Sequence, residues 1–127
     1  MEPTAINKKI LESFHLMWDL HPFPVMLLRA NRDIVAVNAV AKQMNISEGV
    51  KCFSLSGRKA VCDHCRADEA LAQGNAKTIG KISKFFNEFA QVFWTPLAGE
   101  EKLYLHYANN INEFVRTELS QTTSQPS

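Results

Sequence analysis

Residues 21–44, HPFPVMLLRANRDIVAVNAVAKQM, decide how this chain folds. Pro22 and Pro24 bias the residues before them toward extended backbone, so any helix upstream ends before this point. VMLLRA is a short apolar run, NRD carries turn chemistry, and IVAVN is a second apolar run; two such runs joined by Asn and Asp predict a β-hairpin. Asn38 stands where a helix cap belongs. AVAKQMNI after it has helical spacing at Val40 and Met44, and SEG offers Gly49 as a helix end.

Working outward toward the N-terminus, Ile6, Ile10, Leu11, Phe14, Met17 and Trp18 recur at helical spacing with polar residues between them. This predicts an amphipathic helix of about four turns within residues 1–20, ending near Asp19. Its apolar stripe exceeds what one sheet face of a small domain is expected to cover. Homodimerisation through Ile10, Phe14, Met17 and Trp18 is the expected role, with folding back onto the chain's own sheet as the alternative.

Toward the C-terminus, RADEALAQG predicts a short helix with Ala67, Ala70 and Leu71 on one face and Gly74 in the left-handed terminal position. TIGKISKFF, FAQVFWTPL and KLYLHYANN each alternate apolar and polar residues and are separated by NE and AGEE, which predicts a three-strand meander. INEFVRTEL can form a last helix, and SQTTSQPS is a polar tail with nothing to bury. The expected class is α+β: a five-stranded antiparallel sheet with helices on one face, plus an N-terminal amphipathic helix and a C-terminal helix. The segments fall at residues 1–20, 21–119 and 120–127.

A chain of 127 residues with 46% hydrophobic content is sized for one core. Its formal charge of +1, from 14 basic and 13 acidic residues, provides no electrostatic footprint for nucleic acid or for an anionic membrane. No apolar run is long enough to span a bilayer and the first residues lack a secretion signal, so a cytoplasmic location is expected.

All three cysteines lie in KCFSLSGRKAVCDHCRADEALAQG, residues 51–74. In a reducing compartment clustered cysteines more often ligate metal or do redox work than form structural disulfides. Cys62 and Cys65 can grip one ion from a single turn, and Cys52 closes the grip from upstream; zinc or an iron-sulfur cluster is the expected occupant. A fourth ligand would come from His64, Asp63, His15, His21, His106, a second subunit or solvent. Alternatively the two thiols near a helix start act as a redox switch, or all three are small buried hydrophobes.

Taken together, HPFPVMLLRANRDIVAVNAVAKQM and the closing YANNINEF resemble the opening and closing phrases of the PAS sensor-domain family, across roughly residues 20–114. Many bacterial and archaeal members carry a cysteine segment that Cys52, Gly57, Arg58, Cys62, Cys65 and Gly74 are similar to; Phe53 and Arg66 depart from it. The resemblance implies a PAS-like sheet enclosing a ligand cavity, and a sensory or dimerising module that passes a signal to an effector domain or signalling protein. It implies no catalyst. The chain is then a stand-alone regulator or a piece of a larger one.

Phe93, Tyr104, His106 and Tyr107 are candidates to line that cavity, although alternation puts Tyr104 and His106 on one face and Leu103, Leu105 and Tyr107 on the other. HCRAD shares a Cys-Arg pair with the flavin-adduct motif of light-sensing members but lacks its flanking residues, so flavin is not expected. Haem would need His64 or His106 as axial ligand and is not expected either. No paired carboxylates, Ser/His/Asp set, phosphate-binding glycine loop or HExxH motif is present, so an enzyme is not expected. Two alternatives to the metal-binding sensor stand: a metal-free interaction module with a thiol redox switch, and a small-ligand receptor with incidental cysteines.

Overall fold

The computed structural model describes residues 6–83 and 87–114, with Glu101 described by its backbone only. Helix α1 (Lys8–Trp18) is capped by the Asn7 side chain, which accepts the Lys9 amide at 2.7 Å. Strands β1 (Val25–Arg29) and β2 (Ile34–Val37) form the predicted hairpin. Helix α2 (Ala39–Gln43), a 3-10 turn (Cys52–Ser56) and helix α3 (Ala67–Gln73) follow. Strands β3 (Lys77–Ser83), β4 (Glu88–Leu97) and β5 (Glu100–Asn110) make the meander. Residues 112–114 are helical; the tail and the rest of the expected last helix lie outside the described residues.

The five strands form one antiparallel sheet in the order β2-β1-β5-β4-β3. β5 is therefore central, with β1 and β4 beside it, and β1 is buried on both sides. Val25, Leu27 and Leu28 are all fully buried, with Met26 nearly so. A strand covered on both faces needs apolar residues at every position, which is why VMLLR reads as a continuous run and not as an alternation.

On the inner face, Met26, Leu28, Val92, Trp94 and Tyr104 pack against α2, α3 and Ile46. Ala67 and Ala70 are fully buried, and their small side chains let α3 sit close to the sheet. The outer face presents Val25, Leu27, Ala36 and Leu103, and α1 covers it with Phe14, 3% exposed, at the centre and Ile10, Leu11 and Trp18 around it. Burial of Phe14 contributes about 2–3 kcal/mol. The helices thus lie on both faces of the sheet: α2 and α3 on one, α1 on the other.

Helix α2 is shorter than its sequence predicts. It ends at Gln43 with Met44 as its cap, and Asn45, at φ 65°, takes the left-handed position assigned to Gly49. Asparagine tolerates that conformation because its short polar side chain adds little steric cost. Gly74 does take the left-handed position that closes α3 (φ 67°). The AGEE turn is tighter than expected, because Leu97 pairs with Glu100 around Ala98 and Gly99, and β5 starts earlier. Among the described residues no helix is long and apolar enough to cross a membrane.

Candidate functional site

Residues 49–65 cross from the β2 edge to the start of α3 and roof part of the inner face. They are first stitched to β2: Gly49 N–H donates to Ile34 O at 2.8 Å and Ile34 N–H to Val50 O at 2.9 Å. Lys51 reaches back to Asp33 at 2.9 Å. Cys52 N–H then donates to the Arg32 carbonyl at 2.9 Å, and the 3-10 turn begins. Gly57 ends that turn with φ 73°, a backbone state at little cost only to glycine, and this turns the chain toward Cys62. Cys65 N–H closes a tight turn on Cys62 O at 3.0 Å.

Arg32 anchors the far end of this segment as well. It lies in the β1–β2 turn at φ 79° and is 4% exposed. Its guanidinium donates to Ala30 O and, at 3.1 Å, to Asp68 in the first turn of α3. Burial works against the charge, but the Asp68 hydrogen bond and the nearby Tyr104 and Cys65 outweigh it and raise the pKa.

Between this roof and the sheet lies a cavity of about 90 Å³. Cys52, Cys62 and His64 line it from the roof; Met26, Lys81, Ser83, Val92, His106 and Ala108 line it from the strands. His106 stacks on Trp94 (5.1 Å, 18° between planes) and its Nδ1 donates to Phe93 O at 2.9 Å. A carbonyl can only accept, so the proton is on Nδ1 and Nε2 holds a lone pair when the ring is neutral. Burial, together with His64, Lys81 and Arg32, pushes the His106 pKa down to about 4 against the pull of the Phe93 carbonyl. At the mouth, Lys81 Nζ lies 3.2 Å from His64 Nε2, where the ammonium donates to the imidazole lone pair.

The structure brings only part of the predicted sites together. Cys52, Cys62, Cys65 and His64 share the roof, and Cys52 and Cys65 pack against the inner core. Of the predicted pocket residues, His106 lines the cavity. Tyr104 is 1% exposed in the inner core beside Arg32. Phe93 and Tyr107 stack on each other (4.8 Å), and Tyr107 packs against Trp18 under α1 on the opposite face. The side-chain period of 2 along β5 decides this, since neighbours of His106 must face away from it. Of the residues assigned to a dimer contact, Ile10, Phe14 and Trp18 turn onto the chain's own sheet, whose outer face is apolar and needs covering, while Met17 is 67% exposed.

Metal chemistry fits this arrangement poorly. Among the described residues no three His, Cys, Asp or Glu side chains converge as a metal-holding group. The Cys52 thiol is pushed up to about 12 by burial and by the neighbouring Cys65 and Cys62, so an ion binding there would have to displace its proton. His64 Nε2 already faces the Lys81 ammonium. His15 pairs with Asp19 at 2.9 Å and His21 with Asn109 at 3.0 Å, neither beside the thiols.

Lys81, Ser83, Met26 and Val92 were not foreseen as lining residues. The signal for Lys81 lay in TIGKIS. Lys81 is in phase with Ile79 and Ser83, which turn inward, while Ile82, out of phase, is 52% exposed. A charge on the inward phase of a strand marks a polar opening in the core.

No family model and no curated protein matches the sequence. Solved structures do. The PAS domain of BvgS from Bordetella pertussis superposes with a TM-score of 0.59 at 15% identity, covering 93% of this chain and 100% of that one. This chain has the PAS fold. A sensory box sensor histidine kinase from Vibrio cholerae matches the PAS fold with a TM-score of 0.57 at 18% identity, over 80% of this chain and 87% of that one. An RNA-binding light-oxygen-voltage receptor matches with a TM-score of 0.55 at 20% identity, over 98% of this chain and 40% of that one. At such identities the PAS likeness is one of fold alone.

Proposed function

We propose that this chain is a sensory signalling module that receives a small ligand in the thiol-walled cavity and passes the change outward through its terminal helices. The observation that carries this reading is the cavity itself, where polar groups from the roof and from the sheet meet over an apolar floor. A ligand bridging His106 and the 52–65 segment would change how the roof sits on the sheet. Likeness in fold to a domain of a sensor histidine kinase supports a signalling output. The thiols act as walls and weak donors in this reading, because a buried, protonated Cys52 is a poor nucleophile.

Assembly as a homodimer belongs to the same proposal. Leu16, Met17 and Leu20 are 87%, 67% and 97% exposed on and just after α1, beside an apolar groove of about 210 Å³ that Ile10, Phe14, Leu97 and Leu105 help to line.

Anaerobic purification followed by elemental analysis and an absorption spectrum tests the ligand reading against the metal one. The expected result is protein free of stoichiometric zinc and iron, in which replacing all three cysteines by serine leaves folding intact. One zinc or one iron-sulfur cluster per chain, lost in that variant, overturns it in favour of a cysteine-held metal centre.

A further inference from the structure

The charges around the cavity specify its occupant further. Among the described residues no aspartate or glutamate lines it. Its one permanent charge is the Lys81 ammonium, which has three N–H donors and lies 3.2 Å from His64 Nε2. The Ser56 hydroxyl and the Cys52 thiol, which burial keeps protonated, add further donors. A metal cation placed there would meet an ammonium and no carboxylate. An anion would meet a counter-charge at the mouth, beside a floor of Met26, Val92 and Ala108. At about 90 Å³ the space lies well below the ~300 Å³ at which pockets begin to hold drug-sized molecules.

Resting on the cavity reading above, we infer that the ligand is a small monoanion of a few non-hydrogen atoms, in the class of formate or nitrite, with Lys81 as its counter-charge and His64 as the group it displaces at the mouth. His106 reports the binding. The groups that bear on its ring are His64, Cys52 and Cys62 from the roof, Lys81 from β3 and Arg32 from the β1–β2 turn, and none of them is a carboxylate. A bound anion therefore adds the negative charge this environment lacks and raises the affinity of His106 for a proton.

The test is a titration of the full chain with sodium formate, sodium nitrite and neutral formamide. Ionic strength is held constant with sodium gluconate, too bulky for the cavity, and the His106 ring signals are followed by NMR. Formate or nitrite is expected to shift the ring saturably and to raise its pKa. Lys81→Met should weaken that binding at least about ten-fold, as loss of a charge-assisted hydrogen bond would, and Lys81→Arg should restore most of it. Lys81 lies on an edge strand and is only partly buried, so both variants should fold, with circular dichroism as the check. Equal binding of formamide and formate, indifferent to Lys81→Met, overturns the anion assignment and leaves the cavity as a receptor for neutral ligands. Failure of every probe to move the ring overturns both.

Discussion

The side-chain oxygen of Asn38 accepts the backbone amide of Val25 at 3.0 Å, across 13 residues of sequence. The same oxygen caps α2 by accepting from Ala41 N–H at 3.0 Å, while Nδ2 donates to Trp18 O at 3.0 Å and Phe23 O at 2.9 Å. One fully buried amide thus ties the end of α1, the proline stretch, β1 and α2 together. Asn38→Ala leaves these backbone groups unpaired and should cost at least about 3 kcal/mol in urea unfolding. Asn38→Asp keeps the size and both accepted bonds but faces the Trp18 and Phe23 carbonyls with a charge, so it should be the worse of the two. Equal stability of all three proteins would contradict this role.

His106 sets a pH window for stability. Its folded pKa is about 4 and its ordinary value 6.5, so between these the unfolded chain binds more protons than the folded one. Stability should therefore fall as pH drops through this range, by about 3 kcal/mol in all. Denaturant midpoints across the window measure it, and His106→Gln should flatten that part of the profile.

Cys52 should resist alkylation. With its thiol raised from 9.0 to about 12, it carries almost no thiolate at mildly alkaline pH. Iodoacetamide treatment of the folded chain followed by peptide mass mapping should leave Cys52 unmodified, and concentrated guanidinium should expose it. The same shift predicts stability lost as pH rises above 9.0, where the unfolded chain releases a proton that the folded chain retains. Rapid labelling of Cys52 under native conditions would show that the roof is open.

The two sides of α1 should separate in mutagenesis. Phe14→Ala, beneath the helix, should cost about 3 kcal/mol and leave solution mass unchanged in whatever folds. Leu16→Glu with Met17→Glu, on the exposed side, should leave stability within about 0.5 kcal/mol and convert a dimer to a monomer in light scattering. A monomeric wild type would end the dimer proposal. Phe14→Glu would be uninformative on assembly, because it buries a charge in the chain's own core.

Local chemistry made the elements legible. The alternation of TIGKIS and KLYLHYANN fixes strand type and side-chain phase at once, and the Asn-Asp turn between two apolar runs marks the hairpin. Asn38 was readable as a helix cap, yet its bonds to Trp18, Phe23 and Val25 were not, since they exist only once the chain has folded back on itself. The same limit applied to the site. His106 and Lys81 lie on strands that meet only through the meander, so no spacing in the sequence joins them. The apolar stripe of α1 was visible, but its partner, the outer face of β1 and β2, was hidden inside runs that read simply as buried.

Arg32 holds the thiol segment at both ends, through its carbonyl to Cys52 and through its guanidinium to Asp68. The segment that carries the three sulfurs is therefore fastened at each end to one turn residue, in addition to the contacts of Gly49, Val50 and Lys51 with β2 and its turn. Asp68 in α3 and the backbone of Cys52 are thus joined through a single arginine, the shortest polar route between that helix and the thiol segment's start that these contacts describe.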